Sequence, residues 1–116
     1  MKIVFLPVFV DIVVELVDVL INMKYFSYEA EAQEYVDELY NDIENKLPLK
    51  PKKKAPQYFE KKYGKGVYYA VFKRNKQTSW YVFYRMFTVN EELVYEVIHI
   101  TNNHVDGKYF NQIPNC

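Results

Sequence analysis

The sequence predicts an α+β fold in the order β-α-α-β-β-β, with two N-terminal helices packed on a mostly antiparallel sheet. Three observations carry that prediction. Apolar residues recur at helical spacing up to residue 47, a proline- and lysine-rich stretch covers 48–66, and aromatic and β-branched runs separated by polar turns follow from residue 67. At 116 residues the chain is expected to form one domain, 1–116, able to bury about two thirds of its unfolded surface. Half of its residues are hydrophobic, which excludes a disordered or fibrous class.

Residues 2–9 are rich in Val, Ile and Phe and read as a first strand, with Pro7 expected at an edge or an end. Asp11 is the expected N-cap of a helix over 12–23, where Ile12, Val13, Leu16, Val17, Leu20 and Ile21 recur at three and four residues. The β-branched content of that stretch lowers its helix propensity, so a strand stays open as the alternative. A signal peptide or membrane span is not expected here. The apolar run 3–10 is short and contains Pro7, and a span would have to bury Asp11, Glu15 and Asp18 at about 2.5 to 3.5 kcal/mol each.

Ser27 is the expected N-cap of the second helix, whose apolar face steps through Tyr28, Ala32, Tyr35, Val36, Leu39, Ile43 and Leu47. Its acids concentrate in the first half, where a helix N-terminus favours them, and Pro48 and Pro51 end it. Residues 48–66 hold three prolines and seven lysines and read as a basic surface loop with little regular structure, long enough to be functional. Strands are expected over 67–73, 79–87 and 93–101, joined as an antiparallel meander. In the middle strand Trp80, Val82, Tyr84 and Met86 are assigned to the core face. Tyr81, Phe83, Arg85 and Phe87 are assigned to a partly exposed face because Arg85 carries a charge. The polar tail 102–116 is expected on the surface.

The net charge of zero conceals a strong asymmetry. Residues 1–47 hold 3 Lys against 10 acids, a balance of −7; residues 48–87 hold 9 Lys and 2 Arg against Glu60 alone, +10; the remainder is −3. A basic block of this size points to an anionic partner, nucleic acid first. Its cations Lys52, Lys53, Lys54, Lys61, Lys62, Lys65, Lys73, Arg74 and Arg85 alternate with Tyr58, Phe59, Tyr81, Phe83 and Phe87, the combination that holds phosphates and stacks bases in single strands. The alternative is a solvated lysine loop over an aromatic core.

Other chemistries lack their residues. Gly64 and Gly66 have neither the spacing nor the following Ser or Thr of a phosphate loop, which removes kinase and dehydrogenase readings. Two histidines, His99 and His104, without a partner at ligand spacing predict no metal, and no cofactor is expected. No nucleophile elbow surrounds Ser27 or Ser79. One cysteine, Cys116, allows no disulfide within the chain and predicts a reducing, cytoplasmic setting.

Three stretches give the chain a resemblance: the opening MKIVFLPVFVDIVVELVDVL, the strand SWYVFYRM and the strand VYEVIHITNNH. Together they resemble the RelE/ParE superfamily of small toxins from bacterial type II toxin–antitoxin systems. The resemblance, over about residues 1–106, implies the β-α-α-β-β-β fold and toxicity by ribosome-dependent mRNA cleavage or by poisoning DNA gyrase. It also implies neutralisation by a cognate antitoxin protein; a homodimer and a toxin–antitoxin hetero-oligomer both stay open as assemblies. Where mRNA-cleaving members carry an arginine before the Tyr-aromatic pair, this chain has Tyr81, with Arg85 further on; after the last strand it has Asn102, Asn103 and His104. His104 is then the expected general acid or base, with Arg85 and Lys52 to Lys54 neutralising phosphate charge. A toxin-like translation inhibitor is the leading reading. A gyrase inhibitor without enzymatic activity and a degenerate, non-toxic interaction module are its alternatives.

Overall fold

Pro7 decides where the chain leaves the sheet. The computed structural model describes residues 1–110 and places β1 at Lys2–Phe5 and α1 at Pro7–Asn22. The expected first strand is thus shorter and the helix starts five residues earlier, at Pro7 rather than after Asp11. A proline at the first helical position loses no hydrogen bond and arrives with its φ already set. The strand alternative for this stretch is not realised. Burial of Phe9, Leu16, Val17 and Leu20 against the sheet outweighs the modest propensity deficit of the β-branched residues.

Helix α1 closes on a double hydrogen bond. Tyr25 N–H donates to Leu20 O at 3.0 Å and Lys24 N–H to Ile21 O at 2.9 Å, which requires Lys24 to take φ +63°. Helix α2 (Glu29–Lys46) starts after Tyr28, one residue later than the Ser27 cap expected, and runs into a short 3-10 turn at Leu47–Leu49. Its buried face is Ala32, Val36, Leu39 and Ile43.

The stretch expected to be an irregular loop is folded. It contains β2 (Lys53–Lys54) and α3 (Gln57–Tyr63), the helix opening after Pro56 and closing at Gly64, whose φ is +94°. Phe59, 1% exposed, supplies the burial that holds so lysine-rich a helix in place. The remaining strands are β3 (Tyr68–Lys73), β4 (Ser79–Val89) and β5 (Glu92–Asn102), followed by α4 (Asn103–Phe110). Residues 103–110 of the expected polar tail are therefore helical, while Pro114 and Cys116 lie outside the described residues.

Among the described residues the protein is α+β, with four α-helices and a five-stranded mixed sheet of order β1-β5-β4-β3-β2. Strands β2 to β5 pair antiparallel, and β1 joins β5 in parallel, Lys2 opposite Val94 and Phe5 opposite Val97. The β4–β5 hairpin turns on Asn90 and Glu91, both at positive φ as a two-residue hairpin turn demands. Its register shifts once: Phe83 faces His99 whereas Tyr84 faces Val97, leaving Ile98 as an extra residue in β5.

Helices α1 and α2 cover one face of the sheet, over Ala70, Phe72, Trp80, Val82, Tyr84, Val97 and Ile100. The opposite face is not the partly exposed surface expected from Arg85. It carries a second core in which Phe59, Phe83 and Ile98 are buried and Tyr69, Tyr81, Tyr109 and Phe110 pack around them. The charge of Arg85 is compatible with that layer because the side chain lies at its rim, donating to Tyr63 O and, at 3.4 Å, to Glu96 Oε1.

Within the first core the fully buried Tyr84 hydroxyl has no hydrogen-bond partner among the described residues. Desolvation by burial, reinforced by Tyr95 and Tyr68, pushes its pKa up to about 12. An unsatisfied buried hydroxyl costs about 1–3 kcal/mol, so Tyr84→Phe is expected to stabilise the protein by an amount of that order. Urea denaturation should show a higher midpoint at unchanged slope, and a lower midpoint would disprove the account.

Candidate nucleic-acid interface

The basic segment is distributed over one edge of the sheet and two neighbouring elements. Lys52, Lys53 and Lys54 lie at β2, the edge strand, and all three are exposed. Lys61 and Lys62 sit on α3, Lys65 follows it, Lys73 ends β3 and Lys76 lies in the β3–β4 turn. None of these lysines pairs with a carboxylate among the described residues; the one Lys–carboxylate bridge there is Lys46 to Asp42, within α2. Several instead lie over rings, Lys62 Nζ 4.7 Å from the Tyr58 centroid, Lys53 6.0 Å from Tyr69 and Lys52 5.9 Å from Tyr95. Their stems extend along aromatic surface while the ammonium groups remain in solvent.

The two arginines behave differently. Arg74 is bonded to Asp42 of α2, and that hydrogen bond holds the Asp42 carboxyl below its ordinary value. Arg85 is held by the Tyr63 carbonyl and Glu96. Both guanidinium groups act mainly as ties between elements.

The rings expected to stack on bases are mostly committed elsewhere. Phe83 and Phe59 are buried with centroids 4.5 Å apart, Phe110 stacks on Tyr81 at 3.7 Å, and Tyr58 stacks on Tyr109 at 3.6 Å. Of the five aromatics named from the sequence, only Phe87 is strongly exposed. The reason is α3 and α4, two helices whose rings roof the sheet face that the sequence left open.

His104, Arg85 and Tyr81 are not brought together. Tyr81 lies under Phe110, and burial raises its phenol pKa. Arg85 is four residues further along β4, about 13 Å at strand rise. His104 is on α4 at the opposite end of the sheet from Arg85, hydrogen-bonded to Thr78 Oγ1 at 3.0 Å and with its ring 6.1 Å from Tyr25. The Thr101-to-His104 cluster is chiefly a clasp. Asn102 Oδ1 accepts the backbone N–H groups of His104 and Val105 and caps α4; Asn103 accepts from Ser79 N–H and donates to Gln77 O; Thr101 Oγ1 donates to Asp106.

His99 drew no functional role from the sequence, yet it sits half-buried in the aromatic layer. Its ring lies 5.3 Å from Tyr63, 5.7 Å from Phe83 and 6.4 Å from Phe59. Burial lowers its pKa below 6.5, opposed by Asp106 and assisted by Lys62. Its position, directly opposite Phe83 in the ladder, is what a sequence reading could have used.

Neither a protein-family model, nor a curated protein, nor a solved structure matches the chain. No helix among the described residues is long and apolar enough to cross a membrane.

The His99 environment gives a signed pH dependence. Between its lowered folded pKa and the ordinary 6.5, the unfolded chain binds a proton there that the folded chain does not, so stability falls as pH drops below about 6.5 and the loss levels off beneath the folded pKa. The urea midpoint is expected to fall between about pH 7.5 and about pH 5.5, above the range where carboxylates contribute. His99→Phe should reduce that fall, and an equal fall in both proteins would remove His99 from the explanation.

Proposed function

We propose that the protein is a toxin-like component of a type II toxin–antitoxin pair, acting in the cytoplasm to slow translation by binding ribosome-associated mRNA. The observation that carries the reading is the set of exposed lysines along β2, α3 and the β3–β4 turn that have no carboxylate partner among the described residues. Phosphate backbones are the polyanions such a surface attracts, through counterion release and without the need for exposed rings. Two N-terminal helices on one face of a mostly antiparallel sheet are compatible with the α+β fold that the RelE/ParE resemblance implies, although β2, α3 and α4 are additional to the expected order. An acidic antitoxin segment covering the lysines would compete with RNA for the same charges.

Binding is better supported than cleavage. His104, Arg85 and Tyr81 are dispersed over both ends of the sheet, and the last two are engaged by Tyr63, Glu96 and Phe110. A second reading, a non-toxic interaction module, draws support from the aromatic roof over the sheet face.

Two measurements test these readings together. Replacing Lys52, Lys53 and Lys54 by Glu should weaken binding of single-stranded RNA by at least about tenfold and reduce the salt dependence by roughly two to three ionic contacts. Unchanged affinity would defeat the lysine argument. Inducing the wild-type chain in a bacterial host, with primer extension on cellular mRNA, should give growth arrest without new RNA ends. New ends would establish cleavage, and normal growth of folded protein would leave the interaction module.

A further inference from the structure

At the end of the sheet away from Arg85, a cavity of about 160 Å³ opens between the α1–α2 connection, the β3–β4 turn and the start of α4. Its apolar wall consists of Leu20 and the aromatic side chains Tyr25, Phe26, Tyr35 and Trp80. The wall is fixed: Trp80, 2% exposed, donates its indole N–H to Tyr35 Oη at 2.9 Å, and the Phe26 ring rests 5.2 Å from that of Tyr35. Tyr25 is carried into place by the Lys24 turn that ends α1 and is half exposed at the mouth.

The polar groups at this cavity are chiefly donors. Tyr35 Oη already accepts from Trp80, so its own O–H is left to donate. Asn102 Oδ1 is occupied by the two backbone N–H groups of α4, and its amide N–H groups have no other partner among the described residues. Thr78 and His104 are hydrogen-bonded to one another across the rim. No acid, lysine or arginine lines the cavity. Two exposed lysines stand beside it in the chain, Lys24 next to Tyr25 and Lys76 next to Asn75.

Aromatic walls select a flat ring, donors select a ring with acceptor atoms, and a lining without acid, lysine or arginine selects a neutral one. A nucleobase combines these properties, presenting ring nitrogens and carbonyl oxygens as acceptors and a π-face for stacking. We infer that this cavity is a nucleobase-binding subsite, with Asn102 and Tyr35 donating to the base, Tyr25 stacking on it, and Lys24 and Lys76 beside the mouth where a phosphate would emerge. The inference rests on the RNA reading above, and supplies the base contact that the roofed sheet face does not.

Trp80 is the chain's one tryptophan, so its indole N–H gives a single signal in a proton–nitrogen correlation spectrum. Adenosine, guanosine, cytidine and uridine are titrated, with phenol as the aromatic probe without ring acceptors. At least one nucleoside is expected to move the Trp80 signal saturably, with phenol weaker by tenfold or more, roughly the discrimination of one lost hydrogen bond. Asn102→Asp keeps the acceptor that caps α4 and removes the donor, and it should weaken the nucleoside about tenfold. Tyr25→Ala, at an exposed position, should weaken it comparably and serves if the first variant does not fold. The corresponding 5′-monophosphate should bind more tightly than the nucleoside, an advantage reduced in Lys76→Ala.

No shift with any nucleoside, equal binding of phenol, or full affinity in folded Asn102→Asp or Tyr25→Ala would overturn the subsite. The Lys52, Lys53, Lys54 to Glu protein separates the two readings. Nucleoside binding retained there while RNA binding falls supports both. A silent cavity beside lysine-dependent RNA binding overturns the subsite alone, and nucleoside binding by a protein that ignores RNA supports the subsite and overturns the RNA reading.

Discussion

One additional residue in β5 allows the sheet to be buried on both faces. Strict alternation would put Ile98 and Ile100 on the same side. With the bulge at Ile98, Tyr95, Val97 and Ile100 turn toward α1 and α2, while Ile98 and His99 both turn toward Phe59 and Phe83. A sheet with two apolar faces needs two covers. The second comes from the lysine-rich segment and from residues beyond the last strand, which places basic charge around an aromatic layer and leaves the lysines at its periphery.

That division of labour separates charge from rings. Phe83 and Phe59 stabilise the fold by leaving water, and a ring inside a core offers no face to a base. The lysines keep their charge in solvent, where their attraction for phosphate is long-ranged and sensitive to salt. Recognition of any base must then come from a different place, and Tyr25 and Phe26, where α1 ends next to Trp80, keep an open side.

The elements with a regular pattern were legible in the sequence. The 3.6-residue spacing of Ala32, Val36, Leu39 and Ile43 gave α2, and the alternating runs gave β3, β4 and β5 within two residues at each end. Helix α3 was hidden because its seven residues hold a single buried side chain, Phe59, amid lysines; the marks that identify it are Pro56 before it and Gly64 after it. Helix α4 buries no residue completely and is held by Asn102 at its start and by Tyr109 and Phe110 stacking at its end. His104 and Asn102 stood out as chemistry-bearing residues, but their company could not be read from spacing. Tyr25, Tyr35 and Trp80 reach them from three elements up to about eighty positions away.

The parallel pairing of β1 with β5 also bears on how the chain folds during synthesis. Lys2 meets Val94 and Phe5 meets Val97, so the first strand has no neighbour until about ninety further residues have been made. Until then the apolar faces of α1 and α2 have each other and the β3–β4 pair to cover them, but not β5. Closing a loop of that length is entropically unfavourable and slow, and the nascent protein passes through a stage with unpaired strand and uncovered helix surfaces. That transient exposure is a consequence of the topology itself, independent of what the finished protein binds.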